Sequence, residues 1–240
     1  VGAAIHLAPN ANGILRRYGV LPERFGAVTT KYLVEYDNKG AETRKFDLRE
    51  PNKIWQHPWQ LVHRVRLHDK LKQIATSAEG PGTPAVLHTS SKVVDVDAET
   101  ATATLENGEV IKADLILGAD GIYSKTRTFI SGHPSKLYGS GKAAFRFLIP
   151  RKAALADPET AKLCSQDGEL AIWYGSDRRV VMYPCDGNEL LNFVCIHPEG
   201  ESQGGSDGML LFKIHVTIAD FHRMEQGSFF RRLIEGFPAF

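Results

Sequence analysis

Long apolar runs are missing from this sequence. The longest, such as Leu115 to Leu117 and Met209 to Phe212, fall far short of the roughly 20 residues that a membrane-spanning helix needs, so no membrane span is expected. An excess of charge of one sign is missing too. Lys and Arg number 29 against 28 Asp and Glu, for a formal net charge of +1. No basic stripe follows from that balance, and nucleic acid is not an expected partner. Cysteine is scarce: Cys164, Cys185 and Cys195 are odd in number and show no Cys-x-x-Cys spacing. That pattern suits a reducing compartment, with the cytoplasm as the expected location, and argues against a disulfide framework or a zinc site. His57, His63 and His68 include no pair at the i, i+4 spacing of a helical zinc site, so no metal is expected. The sequence contains no Gly-x-Ser-x-Gly elbow, and an acyl-transfer hydrolase would have no visible nucleophile.

What is there describes an ordinary globular chain, 42% hydrophobic and 24% charged over 240 residues, long enough for one large domain or two small ones. The opening Val1-Gly2-Ala3-Ala4 has neither a methionine nor a signal-peptide pattern and reads as a cut edge.

The local signals predict a strand over Ala3 to Leu7, then a helix begun near Pro9 and stopped at Gly19. A hairpin is expected from Val28 to Phe46, turning at Asp37-Asn38-Lys39-Gly40. The stretch Glu50 to Trp59 reads as a loop. Leu67, Leu71, Ile74, Ala75 and Ala78 recur at helical spacing until Gly80-Pro81-Gly82 breaks the pattern. Strands are expected at Ala85 to Thr89, Lys92 to Val96, Thr102 to Leu105 and Val110 to Lys112, the last two joined through Asn107-Gly108. From Ala113, Ala-Asp-Leu-Ile-Leu-Gly-Ala-Asp-Gly reads as a short, fully buried strand entering a glycine-bounded turn, with Ser124 placed to cap a following helix. Beyond Ser131 the alternating aromatic stretches Ala144 to Ile149, Leu170 to Tyr174, Val180 to Tyr183 and Leu190 to Ile196 predict a second, mostly antiparallel sheet. Residues 199–208 read as a polar, glycine-rich linker.

The turn Gly118-Ala119-Asp120-Gly121 is the most informative spot. Glycine removes the Cβ that would keep a ligand from the backbone, and the helix after Ser124 would point unpaired N–H groups at an anion. Asp120 would accept hydrogen bonds from ribose or ribityl hydroxyls. A plain turn after a core strand is the alternative reading of the tetrapeptide taken alone.

With Ser124 and Arg127 after it, this segment resembles the second flavin fingerprint of class A FAD-dependent monooxygenases, the group of salicylate and para-hydroxybenzoate hydroxylases. Gly2-Ala3-Ala4-Ile5-His6-Leu7-Ala8-Pro9-Asn10 and His63-Arg64 with Leu67 and Leu71 are similar to neighbouring patterns of that family. The resemblance implies that Arg64, Gly118, Asp120, Gly121 and Arg127 bind FAD. An arginine suits that task because its planar fork pairs with phosphate oxygens. Tyr138-Gly139, Ala144-Phe145-Arg146, Trp173-Tyr174-Gly175 and Met182-Tyr183-Pro184 resemble the family's substrate-domain sheet, with Arg146 a candidate near the flavin ring or the substrate. No base is legible to pair with it.

The implied fold is α/β: a partial Rossmann-like FAD-binding domain over residues 1–130, a mostly antiparallel β-sheet substrate domain over 131–208, and an atypical tail over 209–240. The implied reaction takes electrons from NAD(P)H through FAD and delivers one oxygen atom of O2 to an aromatic or similarly electron-rich small molecule, the cofactor carrying the oxygen chemistry. The family's first fingerprint, Gly-x-Gly-x-x-Gly, would lie before Val1, and the third has no counterpart here, so a fragment is expected. Gly139-Ser140-Gly141-Lys142-Ala143-Ala144 is no substitute. It leads into a strand pattern rather than a helix, and Lys136 and Ala143 stand where a phosphate loop needs Gly and Ser or Thr. An epoxidase or oxidase on the same scaffold, and a non-catalytic remnant, are the competing readings. A nicotinamide dehydrogenase is disfavoured.

Overall fold

A computed structural model of the chain describes residues 3–80, 82–133 and 136–201; the expected tail over 209–240 lies outside the described residues. Strand β1 (Ala4–Leu7) leads into helix α1 (Pro9–Arg17), where Pro9 occupies the first turn and Gly19 turns the chain at φ +74°. The hairpin follows as β3 (Tyr32–Tyr36) and β4 (Glu42–Asp47), after a two-residue strand β2 (Val28–Thr29). Its turn is held by the Asp37 carboxylate, which accepts from the N–H groups of Lys39 and Ala41. The expected loop after it contains a short helix, α2 (Arg49–Ile54). Pro51 is tolerated there because it sits in the first turn, where its missing N–H would have no helical partner. Strand β5 (Gln60–His63) runs directly into α3 (Arg64–Thr76).

Two compact units emerge, one from the described residues up to Ile74 together with those from Gly141 onward, the other from Ala75 to Ser140. The second unit is a meander of β6 (Val93–Asp97), β7 (Thr102–Leu105) and β8 (Val110–Lys112), followed by α4 (Thr126–Ser131). Two expected strands do not form. Residues 85–89 join no sheet, the Ala85 N–H donating instead to the carbonyl oxygen of Ala75 at 2.8 Å, and Val86 is 79% exposed. Residues 113–121 likewise join no sheet, although the Ala113 N–H donates to the carbonyl oxygen of Ala101 at 3.0 Å, and Leu115 and Leu117 are 71% and 82% exposed rather than buried. The cause is the same for both: an apolar run becomes a core strand only where neighbouring strands supply its hydrogen bonds, and neither segment belongs to any of the three described sheets.

In the first unit, β9 (Lys142–Pro150), the helices α5 (Arg151–Leu155) and α6 (Pro158–Cys164), and β10 (Glu169–Tyr174), β11 (Arg179–Cys185) and β12 (Leu190–Pro198) follow in order. The strands form a six-stranded sheet ordered β4-β3-β10-β11-β12-β9, antiparallel except for the β3–β10 pair. The hairpin β3–β4, expected in the first domain, thus shares a sheet with strands expected in the second.

The alternating pattern sorts side chains to two faces. Ile149, Trp173, Val180, Met182, Leu191 and Phe193 cluster on one, with Ala154 of α5 and Cys164 of α6. Phe147 stacks on Phe193 and Tyr36 on Trp173, each with ring centroids 5.0 Å apart. On the opposite face Leu170, Tyr183 and Cys185 meet Ala4, Val28 and Leu61 of a three-stranded sheet ordered β1-β5-β2. The far side of that small sheet packs Leu7 and Val62 against Leu67 of α3, with Val20 and Leu15. Two sheets are therefore sandwiched between two pairs of helices, and α1 and α3 are held on the outer face of the small sheet. No helix among the described residues is long and apolar enough to cross a membrane.

Candidate functional site

The segment from Gly118 to Arg127 closes on itself around one carboxylate. Asp120 Oδ1 accepts from the Ser124 hydroxyl at 2.7 Å and the Thr126 hydroxyl at 2.7 Å, while Oδ2 accepts from the N–H of Lys125 at 2.6 Å and of Thr126 at 3.1 Å. Both oxygens are filled. Those hydroxyl and backbone donors, Ser124 foremost and then Thr126, hold the carboxyl well below the usual carboxylate range. Ser124 Oγ in turn accepts from the N–H of Arg127 at 3.0 Å, so the expected capping serine does satisfy a first-turn donor of α4. The Arg127 guanidinium folds back and donates to the carbonyl oxygens of Gly121 at 2.9 Å and Ile122 at 3.2 Å.

Both glycines have physical reasons. Gly121 lies at φ +78°, the left-handed region that glycine enters without steric cost. At Gly118 a Cβ would stand 2.1 Å from Thr126 Oγ1 and 2.6 Å from Thr126 Cβ. The space beside Gly118 is thus taken by the threonine that serves Asp120. Sequence reading missed Thr126; the available signal was a second hydroxyl residue two positions after Ser124.

The structure therefore brings Gly118, Asp120, Gly121 and Arg127 into one loop of the second unit, but turns the Asp120 and Arg127 side chains inward on that loop. Among the described residues, the N–H groups of residues 115–121 make no hydrogen bond within the chain, and most of these residues are exposed.

The other two candidates belong to the first unit. Arg64 opens α3 directly after β5, its N–H donating to the carbonyl oxygen of Ala3 at 2.9 Å. Its guanidinium is exposed and has no ion pair or hydrogen-bond partner among the described residues. Beside it, His63 Nδ1 is buried without a partner among those residues. Arg146 lies on β9 opposite Val194 and is exposed. Its charge partly offsets the upward push that burial, and then Cys185, exert on the Tyr183 hydroxyl.

A flavin nucleotide needs donors for its phosphates and a backbone that admits close approach. In the first unit the exposed Arg64 guanidinium is such a donor; in the second, taken by itself, the N–H groups of residues 115–121 have no partner within the chain among the described residues, and Asp120 and Arg127 fix the shape of that loop.

No protein-family model matches the chain. Among curated proteins it is 38% identical over 203 residues to the FAD-dependent monooxygenase phomE' of Diaporthe leptostromiformis, covering 83% of this chain and 51% of that protein. It is 28% identical over 247 residues to hispidin-3-hydroxylase of Neonothopanus nambi, covering 98% of this chain and 58% of that one. The chain thus spans about half the length of the curated relatives it matches. Its fold is similar to that of HpxO of Klebsiella pneumoniae, solved with FAD and uric acid, at a TM-score of 0.66 and 18% identity over 86% of this chain and 49% of that one.

Proposed function

We propose, from the premise that this chain belongs to the FAD-dependent monooxygenases, that it is part of an enzyme that hydroxylates an aromatic or similarly electron-rich small molecule, consuming NAD(P)H and O2. The observation that carries the reading is the loop built on Asp120. A motif resembling the family's second flavin fingerprint folds so that the N–H groups of residues 115–121 have no partner within the chain among the described residues.

In this reading the residues divide into two kinds. Arg64 pairs its planar fork with a phosphate oxygen of FAD; in the second unit the backbone at Gly121, where no Cβ intervenes, admits close approach of the cofactor, while Gly118 makes room for Thr126. Asp120 and Arg127 are positioning residues: the first ties the start of α4 to the turn, and the second clamps the carbonyls of Gly121 and Ile122. In this reading Arg146, exposed on β9, orients an anionic or phenolic substrate. Bound FAD supplies the redox exchange with NAD(P)H and the activation of O2. The name of the Neonothopanus relative, a hydroxylase, supports an oxygen-inserting reaction over a simple oxidation.

The test is reduction of chain-bound FAD by NADPH or NADH under anaerobic conditions, followed in the visible flavin band. Bleaching by either nucleotide, lost in Arg64→Ala, supports the proposal. Flavin that is bound but reduced by neither counts against NAD(P)H consumption by this chain and favours the remnant reading.

A further inference from the structure

We propose that a cleft in the first unit, between α1 and the segment Trp55 to His57, binds a planar aromatic anion. The cleft encloses about 350 Å3, at the small end of the range for ligand pockets and enough for a molecule of one or two rings. It uses none of the residues assigned above to FAD.

One wall is a helical stripe. Asn10, Gly13, Ile14 and Arg17 recur at i, i+3, i+4 and i+7, so they share one face of α1. The other wall is aromatic, made by Trp55 and His57. Gly13 sets their separation: a Cβ there would lie 2.5 Å from His57 Cδ2 and 3.0 Å from His57 Nε2, so the imidazole rests against bare helix backbone.

The walls are fixed rather than loosely apposed. Asn12, fully buried on the next face of α1, donates from Nδ2 to the carbonyl oxygen of Pro58 at 2.9 Å and to Gln60 Oε1 at 2.8 Å. On the other side of the segment, Asn52 Oδ1 accepts from the N–H of Trp59 at 2.9 Å, and Asn52 Nδ2 donates to the carbonyl oxygen of Thr30 at 2.7 Å. The Trp55–His57 segment is therefore pinned just before and just after the cleft.

The chemistry of the lining selects the ligand. Trp55 and Ile14 stay partly exposed, 37% and 59%, and with His57 they offer flat and apolar surface to a ring. Arg17 is the charge. Its neighbour Arg16 is neutralised by Glu23 at 2.7 Å, whereas Arg17 has no ion pair or hydrogen-bond partner among the described residues. No acidic side chain lines the cleft. An apolar body with one anionic end satisfies all of these groups, and a carboxylate matches the guanidinium fork.

The experiment is calorimetric titration of the 240-residue chain with 2-naphthoate, and with 2-naphthamide as its uncharged counterpart. Saturable one-to-one binding of 2-naphthoate is expected, weakened about tenfold or more in Arg17→Gln. The naphthamide should bind the unaltered chain about as weakly as the naphthoate binds Arg17→Gln. Gly13→Ala, whose Cβ would displace the imidazole that walls the cleft, should weaken both. Arg17 is exposed, so its replacement leaves the core intact. Equal affinity of Arg17→Gln for the naphthoate, or no saturable binding to the unaltered chain, overturns the proposal. Preference for riboflavin over naphthoate with no effect of Arg17→Gln would overturn it as well, by making the cleft a flavin-ring site.

Discussion

Replacing Gly118 by alanine should open the Asp120 loop without touching Asp120. The added methyl would overlap Thr126 Oγ1 at 2.1 Å and Thr126 Cβ at 2.6 Å, so the threonine must move. Its hydroxyl then leaves Asp120 Oδ1 and its N–H leaves Oδ2. Loss of those two bonds should raise the open population of the loop by roughly fivefold or more. The assay is amide hydrogen exchange at Lys125, Thr126 and Arg127, the three N–H groups that Asp120 and Ser124 hold. Thr126→Gly deletes the three atoms nearest the new methyl, so the two changes should not add: the double variant should exchange slower than the two single effects combined imply. Unchanged exchange in Gly118→Ala, or strict additivity, would refute the reasoning.

Other predictions follow from the first unit. Burial, opposed by Lys45 and reinforced by Glu42, raises the Glu169 carboxyl; a raised acid contributes stability that is full below its unfolded value of 4.5 and is lost as pH rises through the higher folded value. Glu169→Gln should therefore raise the Tm at neutral pH, and the gain should vanish in melts recorded below about pH 4. Arg151 is buried and donates to the carbonyl oxygens of Cys164 at 2.9 Å and Ser165 at 2.8 Å while pairing with half-exposed Asp167. Arg151→Ala should cost about 2–4 kcal/mol in urea unfolding, mostly from the orphaned carbonyls, and a loss under about 1 kcal/mol would contradict that assignment. Burial pushes the thiols of Cys185 and Cys195 up to about 12, so a disulfide reagent should label neither in the native chain and both after denaturation.

How much of this was legible in the sequence depended on whether partners were near in the chain. The hairpin through Asp37 and the turn at Asn107-Gly108 carry their own hydrogen-bond logic, and both formed. Helix α1 announced itself by Pro9 and Gly19. The parallel pairing of Tyr32 in β3 with Glu169 in β10 had no local signal, because sheet order is set by which apolar faces fit together across the core. The apolar stretch at Leu115 and Leu117 misled for the complementary reason. Composition reported a segment suited to burial, but burial needs neighbours that this fold does not place there. At the site, the motif identified Gly118, Asp120, Gly121 and Arg127 as one group. It was silent on geometry: that Asp120 spends its carboxylate on Ser124, Thr126 and the start of α4 follows only from the coordinates of the loop.

FAD binding is proposed for Arg64 in the first unit and, separately, for the loop shaped by Asp120 in the second. Equilibrium titration of FAD with the purified chain, read by flavin fluorescence and repeated with Arg64→Ala and Asp120→Ala, tests it most directly. The account predicts a saturable change with the unaltered chain that weakens about tenfold or more in each variant. A chain that leaves FAD fluorescence unchanged up to concentrations on the order of 100 µM, or variants that bind FAD as well as the unaltered chain, would contradict it.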